Sequence, residues 1–332
     1  MSYLTLDLEA DADSMPDLSA PELWQQAEAE EAPALARAAA ALGALDAAVE
    51  DAPWLLPRLA LLEAEAMLWA QGIILRSEDI GRDLLAARSG ADAEGLMQAR
   101  WCIRRLVPAH TAGEVALRRP ELRDLRSFLA LHRVEVAGFH DDAPARLCGA
   151  DFDAASQDFL TALDQLADRH PLTRAAAAQY LWRQNGLSAV EDVIEAASYS
   201  AILASTDLQY LRFAPLGQYG QTAWRSGGSA AMRLAQWLEA VRAGAHEARQ
   251  HMRRLRAWRD DALGMAAKMK GDTPGRLIEA ALQRPLIGTE DAERALGISR
   301  DSAERGLARL QSMGILREVT GRGRFRLWTV GR

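Results

Sequence analysis

Apolar residues recur at three- and four-residue spacing along most of the chain, the pattern of helices that bury one face. Phe152, Ala155, Phe159, Leu163 and Leu166 show it plainly. ALARAAAALGALDAAV (34–49) is a strong helix former, punctuated afterwards by Pro53 and Pro57. From Leu55 to about Phe213, stretches such as LPRLALLEAEAMLWA and DFDAASQDFLTALDQLADRH read as successive helices with short breaks. Alternating strand patterns are scarce, and the glycine-rich GQYGQTAWRSGGS (217–229) reads as a loop. A long helix follows over roughly Ala230–Met269. Leu234, Leu238, Val241, Ala245, Ala248, Met252 and Leu255 put one apolar stripe along it. That stripe predicts a partner helix, either in a second copy of the chain, giving a homodimer through residues 230–269, or in the body of the same chain.

The last sixty residues change the rhythm. In GDTPGRLIEAALQRP (271–285), Thr273 can cap, Pro274 suits a first helical turn and Pro285 stops the helix. Thr289 is expected to cap a second helix, EDAERAL, whose carboxylates lie in the favourable first turn. Gly297 suits a left-handed exit, Ser299 caps a third helix, RDSAERGLARLQSM, and Gly314 ends it. Two helices joined by a tight glycine turn form a helix-turn-helix. ILREV and FRLWTV, separated by TGRGR, read as a β-hairpin, the wing. The fold expected is therefore mainly α: a multi-helix body, a long helix, and a C-terminal winged helix-turn-helix with a small β-hairpin. The segments expected are 1–52, acidic and partly disordered; 53–228, the helical body; 229–270, the connecting helix; and 271–332, the winged helix.

Charge is distributed in step with this division. Residues 1–240 carry 20 Arg against 35 Asp and Glu, a net of −15; residues 241–332 carry 19 Lys and Arg against 11 Asp and Glu, a net of +8. A basic end on an acidic body predicts an anionic partner for that end, or docking of the end on the body. Ala303, Leu307 and Leu310 turn one face of the third helix inward and leave Arg300, Ser302, Glu304, Arg305 and Arg309 outside, the face that enters a major groove in this motif. Arg317, Arg322, Arg324 and Arg326 decorate the hairpin, where a guanidinium fork suits phosphate. With the caps Thr289 and Ser299, these residues are the candidate contacts to double-stranded DNA. Arg249, Arg253, Arg254, Arg256 and Arg259 on the long helix are a solvated face or a second phosphate-contacting surface.

No apolar run approaches the ~20 residues that span a bilayer. The N-terminus, MSYLTLDLEADAD, has no basic region ahead of an apolar one, so neither a membrane nor a signal peptide is expected and the location expected is cytoplasmic. Cys102 and Cys148 are the only cysteines and lie in no metal spacing. His140, Asp141 and Asp142 are adjacent and read as a solvated loop. No metal, cofactor or catalytic group is expected.

The stretch WLEAVRAGAHEA (237–248), together with GILREVTGRGRFR (314–326), resembles the C-terminal part of Fic-family proteins, which carry a winged helix with a similar wing. More weakly, LALLEAEAMLWAQGIILRSEDI (59–80) is similar to the Fic helix that bears an inhibitory motif. In that frame Met67 stands where the family has serine or threonine, and Gln71 where it has glutamate. The family's catalytic motif, HPFxxGNGRxxR, is missing. HPLTRAAAAQYLWRQNG (170–186) has an HP pair and an NG pair but no GNGR. The chain resembles the alphaproteobacterial group that joins a motif-less Fic-like helical domain to a helix-turn-helix. That resemblance implies a body that binds a protein or small-molecule effector instead of transferring AMP. The alternatives are a diverged AMP transferase and a protein-interaction module of toxin–antitoxin type.

Overall fold

The computed structural model describes residues 17–85, 92–107, 121–131, 146–189, 191–321 and 326–331. α1 (Pro21–Glu30) and α2 (Ala32–Glu50) each carry a proline in the first two positions, where its missing N–H leaves no bond unmade. They are not a separate acidic segment. Trp24, Leu42, Leu45 and Val49 join the same core as the rest of the body. Even Leu18 is buried, its N–H donating to the Tyr180 hydroxyl at 3.0 Å. The many carboxylates sit on outer faces and hide an inner apolar stripe; of the segment 1–52, expected to be partly disordered, residues 1–16 lie outside the described residues.

The body continues through α3 (Leu55–Ala70), α4 (Ser77–Leu84), α5 (Ala93–Leu106), α6 (Leu125–Leu129), α7 (Gly149–Asp164), α8 (Pro171–Gln184) and α9 (Ile194–Leu203). Phe128, Phe159, Trp182 and Tyr199 pack ring against ring at its centre, with centroids 5.2–6.2 Å apart. Glu63 of α3 is 1% exposed and accepts the Leu216 and Gly217 N–H groups at 3.2 and 2.7 Å, which pins that turn to α3. Burial pushes its carboxyl up to about 7 against those bonds. The stretch 217–229 is only partly loop. A 3₁₀ turn and α10 (Gly220–Trp224) lie within it, because Ala223 and Trp224 bury.

α11 (Ala230–Ala266) is 37 residues long and begins at Ser229, whose hydroxyl accepts the Met232 N–H. The whole Leu234–Leu255 stripe is buried within the same chain, chiefly against α2. Of the two partners expected for it, the body of the same chain is the one on which it packs. By length and composition α2 could cross a membrane, but its Ala38, Leu42, Leu45 and Val49 face is core. Gly244 permits the tightest approach: a Cβ there would lie 2.1 Å from the Pro215 carbonyl oxygen.

A second, smaller core gathers α12 (Thr273–Leu282), α13 (Thr289–Leu296) and α14 (Arg300–Ser312) over a sheet of β1 (Ile287–Gly288), β2 (Leu316–Glu318) and β3 (Leu327–Val330). The sheet is antiparallel in the order β1-β3-β2, with Ile287 opposite Trp328 and Arg317 opposite Thr329. The hairpin and the three helices are as expected; β1, two residues long, was not. Ala262 and Ala266 from the end of α11 enter this core too, so one helix serves both.

Candidate nucleic-acid interface

The turn between α13 and α14 is set by local chemistry. Gly297 takes φ +66° and donates its N–H to the Glu293 carbonyl, closing α13. Ser299 then starts α14, its hydroxyl accepting the Ser302 N–H at 3.3 Å and donating to the Ser302 hydroxyl at 2.9 Å. Thr289 is not a cap. It is the first residue of α13, half-buried, and the Asp291 carboxylate holds the Gly288 N–H at 3.1 Å in its stead. Asp291 also binds Arg284, so the start of α13 is tied internally.

Ala303, Leu307 and Leu310 bury one face of α14. Arg300, Arg305 and Arg309 are exposed on the other, with Ser302 half-buried at the start. Arg305 donates from Nε to the Asp301 carbonyl at 3.2 Å. Arg300 and Arg309 make no ion pair among the described residues. The structure thus leaves three guanidinium groups exposed on α14, of which Arg305 and Arg309, four residues apart, share a face.

The wing is different. Arg317 pairs with Glu78 of α4, and Arg82 of α4 reaches the Val319 carbonyl at 3.4 Å. Arg326 is only 24% exposed in its side chain. It bonds Gln311 at 2.6 Å and Glu318 at 3.2 Å, and lies 4.9 Å over the Trp328 ring. Trp328 in turn donates to Gln311 at 2.9 Å. Arg322 and Arg324 lie outside the described residues, as do His140, Asp141 and Asp142. On α11, Arg254 pairs with Glu247 and Arg259 with Glu279, whereas Arg249, Arg253 and Arg256 have no ion pair among the described residues.

In the body, Met67 is fully buried beside Cys102, sulfur to sulfur at 3.7 Å, and Gln71 caps the end of α3. His170 caps α8: its Nδ1 accepts the Leu172 N–H at 3.1 Å, so that nitrogen is occupied by the helix. Burial lowers its pKa. Among the described residues no group of three metal-ligating side chains forms.

Arg58 was not foreseen. On α3 it is 6% exposed and donates from Nη2 to the carbonyls of Ala281 and Leu282, C-terminal oxygens of α12, and of Arg284 just beyond the helix. Burial lowers its pKa to about 10. Its only signal in the sequence is a charge set among leucines in LPRLALL.

A crystal structure of a Fic family protein from Desulfovibrio desulfuricans G20 is similar to 90% of this chain over 96% of its own, at 14% identity and a TM-score of 0.49. No curated protein matches the sequence. Residues 274–330 match the family model described as HTH DNA binding domain, the segment in which the caps, the turn and the hairpin build the winged helix.

Proposed function

We propose that the chain is a cytoplasmic DNA-binding protein that regulates transcription, with α14 as the reading helix. The observation that carries this is a helix that buries Ala303, Leu307 and Leu310 in the core and leaves Arg300 at its start and the Arg305 and Arg309 face exposed. The HTH DNA binding domain match over the same residues supports it. Wing arginines add phosphate contacts, and Arg322 and Arg324 are proposed for that role. The body is a helical domain of Fic-like sequence without Fic chemistry: it lacks a GNGR loop, and the His170 Nδ1 serves as a helix cap.

The test is selection of bound fragments from a sheared genomic DNA pool by the full chain, followed by titration on the enriched and a scrambled duplex at several salt concentrations. An enriched sequence bound at least a thousandfold tighter than scrambled DNA is expected. No binding to any duplex would leave the interaction-module reading in its place. Incubation with labelled ATP and a lysate should label nothing; labelling abolished by His170→Ala would reinstate AMP transfer.

A further inference from the structure

We propose that the cavity between α3, α4, α11 and the winged helix binds a small organic monocarboxylate, whose charge meets Arg58 and whose apolar part lies on Leu61, Leu62 and Leu286. This deepens the reading of the chain as a regulated DNA-binding protein, and its regulatory meaning rests on that reading; occupancy of the site does not.

The cavity is about 130 Å³ and its walls come from both cores: Arg58, Leu61 and Leu62 from α3, His251 from α11, and Leu286 from the winged helix. An apolar cavity of ~150 Å³ holds a benzene ring, so the space suits a ligand of roughly six to nine non-hydrogen atoms. The deciding feature is Arg58. It is 6% exposed, its Nη2 is taken by backbone carbonyls, and its Nε is buried with no hydrogen-bond partner. Among the described residues no carboxylate pairs with it. The α12 C-terminus offsets part of this charge, but no full counter-ion meets it, and low polarity makes an incompletely paired ion costly and a paired one tolerable. His251 beside it is held neutral near pH 7, its pKa pushed down to about 4 by burial, with Arg58 and Arg254 adding to the effect. A neutral imidazole can donate one N–H to a bound carboxylate.

The walls also set the class of anion. Glu78 lines the rim and is already paired with Arg317. One cation without a carboxylate partner among the described residues, with the Glu78 carboxylate nearby, matches a single negative charge and repels a phosphate dianion. Leucine walls on two sides favour an organic acid over an inorganic ion.

Glu78 of α4 and Leu286 and Thr329 of the winged helix line the same cavity, so occupancy favours the local arrangement in which Arg317 is held by Glu78 and withheld from phosphate.

Benzoate serves as the probe, with benzamide as its neutral counterpart, in calorimetric titration of the full chain. Expected is saturable benzoate binding at least tenfold tighter than benzamide. Leu62→Trp, which fills the cavity from a 39% exposed position, should weaken benzoate at least tenfold while circular dichroism and melting temperature stay at wild-type values. Arg58→Gln should do the same, but it also unties α12, so Leu62→Trp decides. No saturable binding of benzoate, valerate or 3-methyl-2-oxobutanoate, equal binding of benzoate and benzamide, or full benzoate affinity in Leu62→Trp would each overturn the site. Saturating benzoate should weaken DNA binding at least threefold; an unchanged affinity would overturn the coupling. Benzoate binding by a chain that binds no DNA would leave the site standing and remove the DNA-binding reading.

Discussion

Two arginine-bearing surfaces lie within sixty residues of each other and present opposite faces to a polyanion. On α14, Arg300 and Arg309 stand exposed with no ion pair among the described residues, and Arg305 donates from Nε to its own helix. On the wing, Arg317 is held by Glu78 of the body and Arg326 by Glu318, Gln311 and the Trp328 ring. Both surfaces look alike as strings of arginines. The difference teaches that formal charge near a recognition element is not charge available to a ligand. A guanidinium already satisfied by carboxylates must break those bonds before it meets phosphate.

The largest effect expected from breaking this contrast is at Trp328. Trp328→Ala removes the ring that Arg326 covers and empties the centre of the small core. It should cost about 3–5 kcal/mol, read as a lower urea midpoint. Little loss would mean that the wing root is not the tie described above.

Next comes the reading helix. A well-placed arginine–guanine contact carries ~1–3 kcal/mol of discrimination. Arg305→Ala should therefore weaken the preferred duplex about 10- to 100-fold and scrambled DNA much less. Equal weakening on both duplexes would make the α14 face a backbone contact.

A smaller effect tests the third arginine environment, around Arg58. His251 has its folded pKa lowered to about 4 from the ordinary 6.5, so the unfolded chain binds its proton more readily between those values. Stability should fall as pH drops from 6.5 towards 4, by roughly 1 kcal/mol once partial solvent access is allowed for. In His251→Gln that part of the slope in melting temperature should vanish; an unaltered slope would refute it.

The smallest effect expected is at Glu78. Glu78→Gln frees Arg317, an exposed pair worth up to about 1 kcal/mol. DNA affinity should rise a few-fold and the salt slope should steepen by about one phosphate. Arg324→Ala should flatten that slope by about one. If Glu78→Gln changed neither, the contrast between free and tied arginines would not bear on binding.

What the sequence made legible was local. Ser299, Gly297 and Gly314 act on neighbours within four residues, so the order of helices, turn and hairpin could be read directly. What it hid was distant. Glu78 and Arg317 are 239 positions apart, and nothing in either local stretch announces the pairing. The Leu234–Leu255 stripe was readable as a stripe, but its owner was not, since α2 as a partner and a second copy of the chain make the same demand on spacing. Thr289 was read as a cap because threonine favours that place; the Asp291 carboxylate won by reaching the Gly288 N–H. The strand β1 has two residues, too few to show a period.

The shared use of α11 has a consequence for how the molecule could be taken apart or recombined. At ~1.5 Å per residue its 37 residues extend about 55 Å, and no flexible joint interrupts it between Leu255 in one core and Ala262 in the other. The winged helix is therefore not a detachable cassette. A fragment beginning at Gly271 would lose Ala262, Ala266 and the Trp258 N–H that donates to Ile315 at 3.0 Å. Swapping readers between such bodies would have to cut inside α11, near residues 256–257, and carry its last turns along as part of the reader.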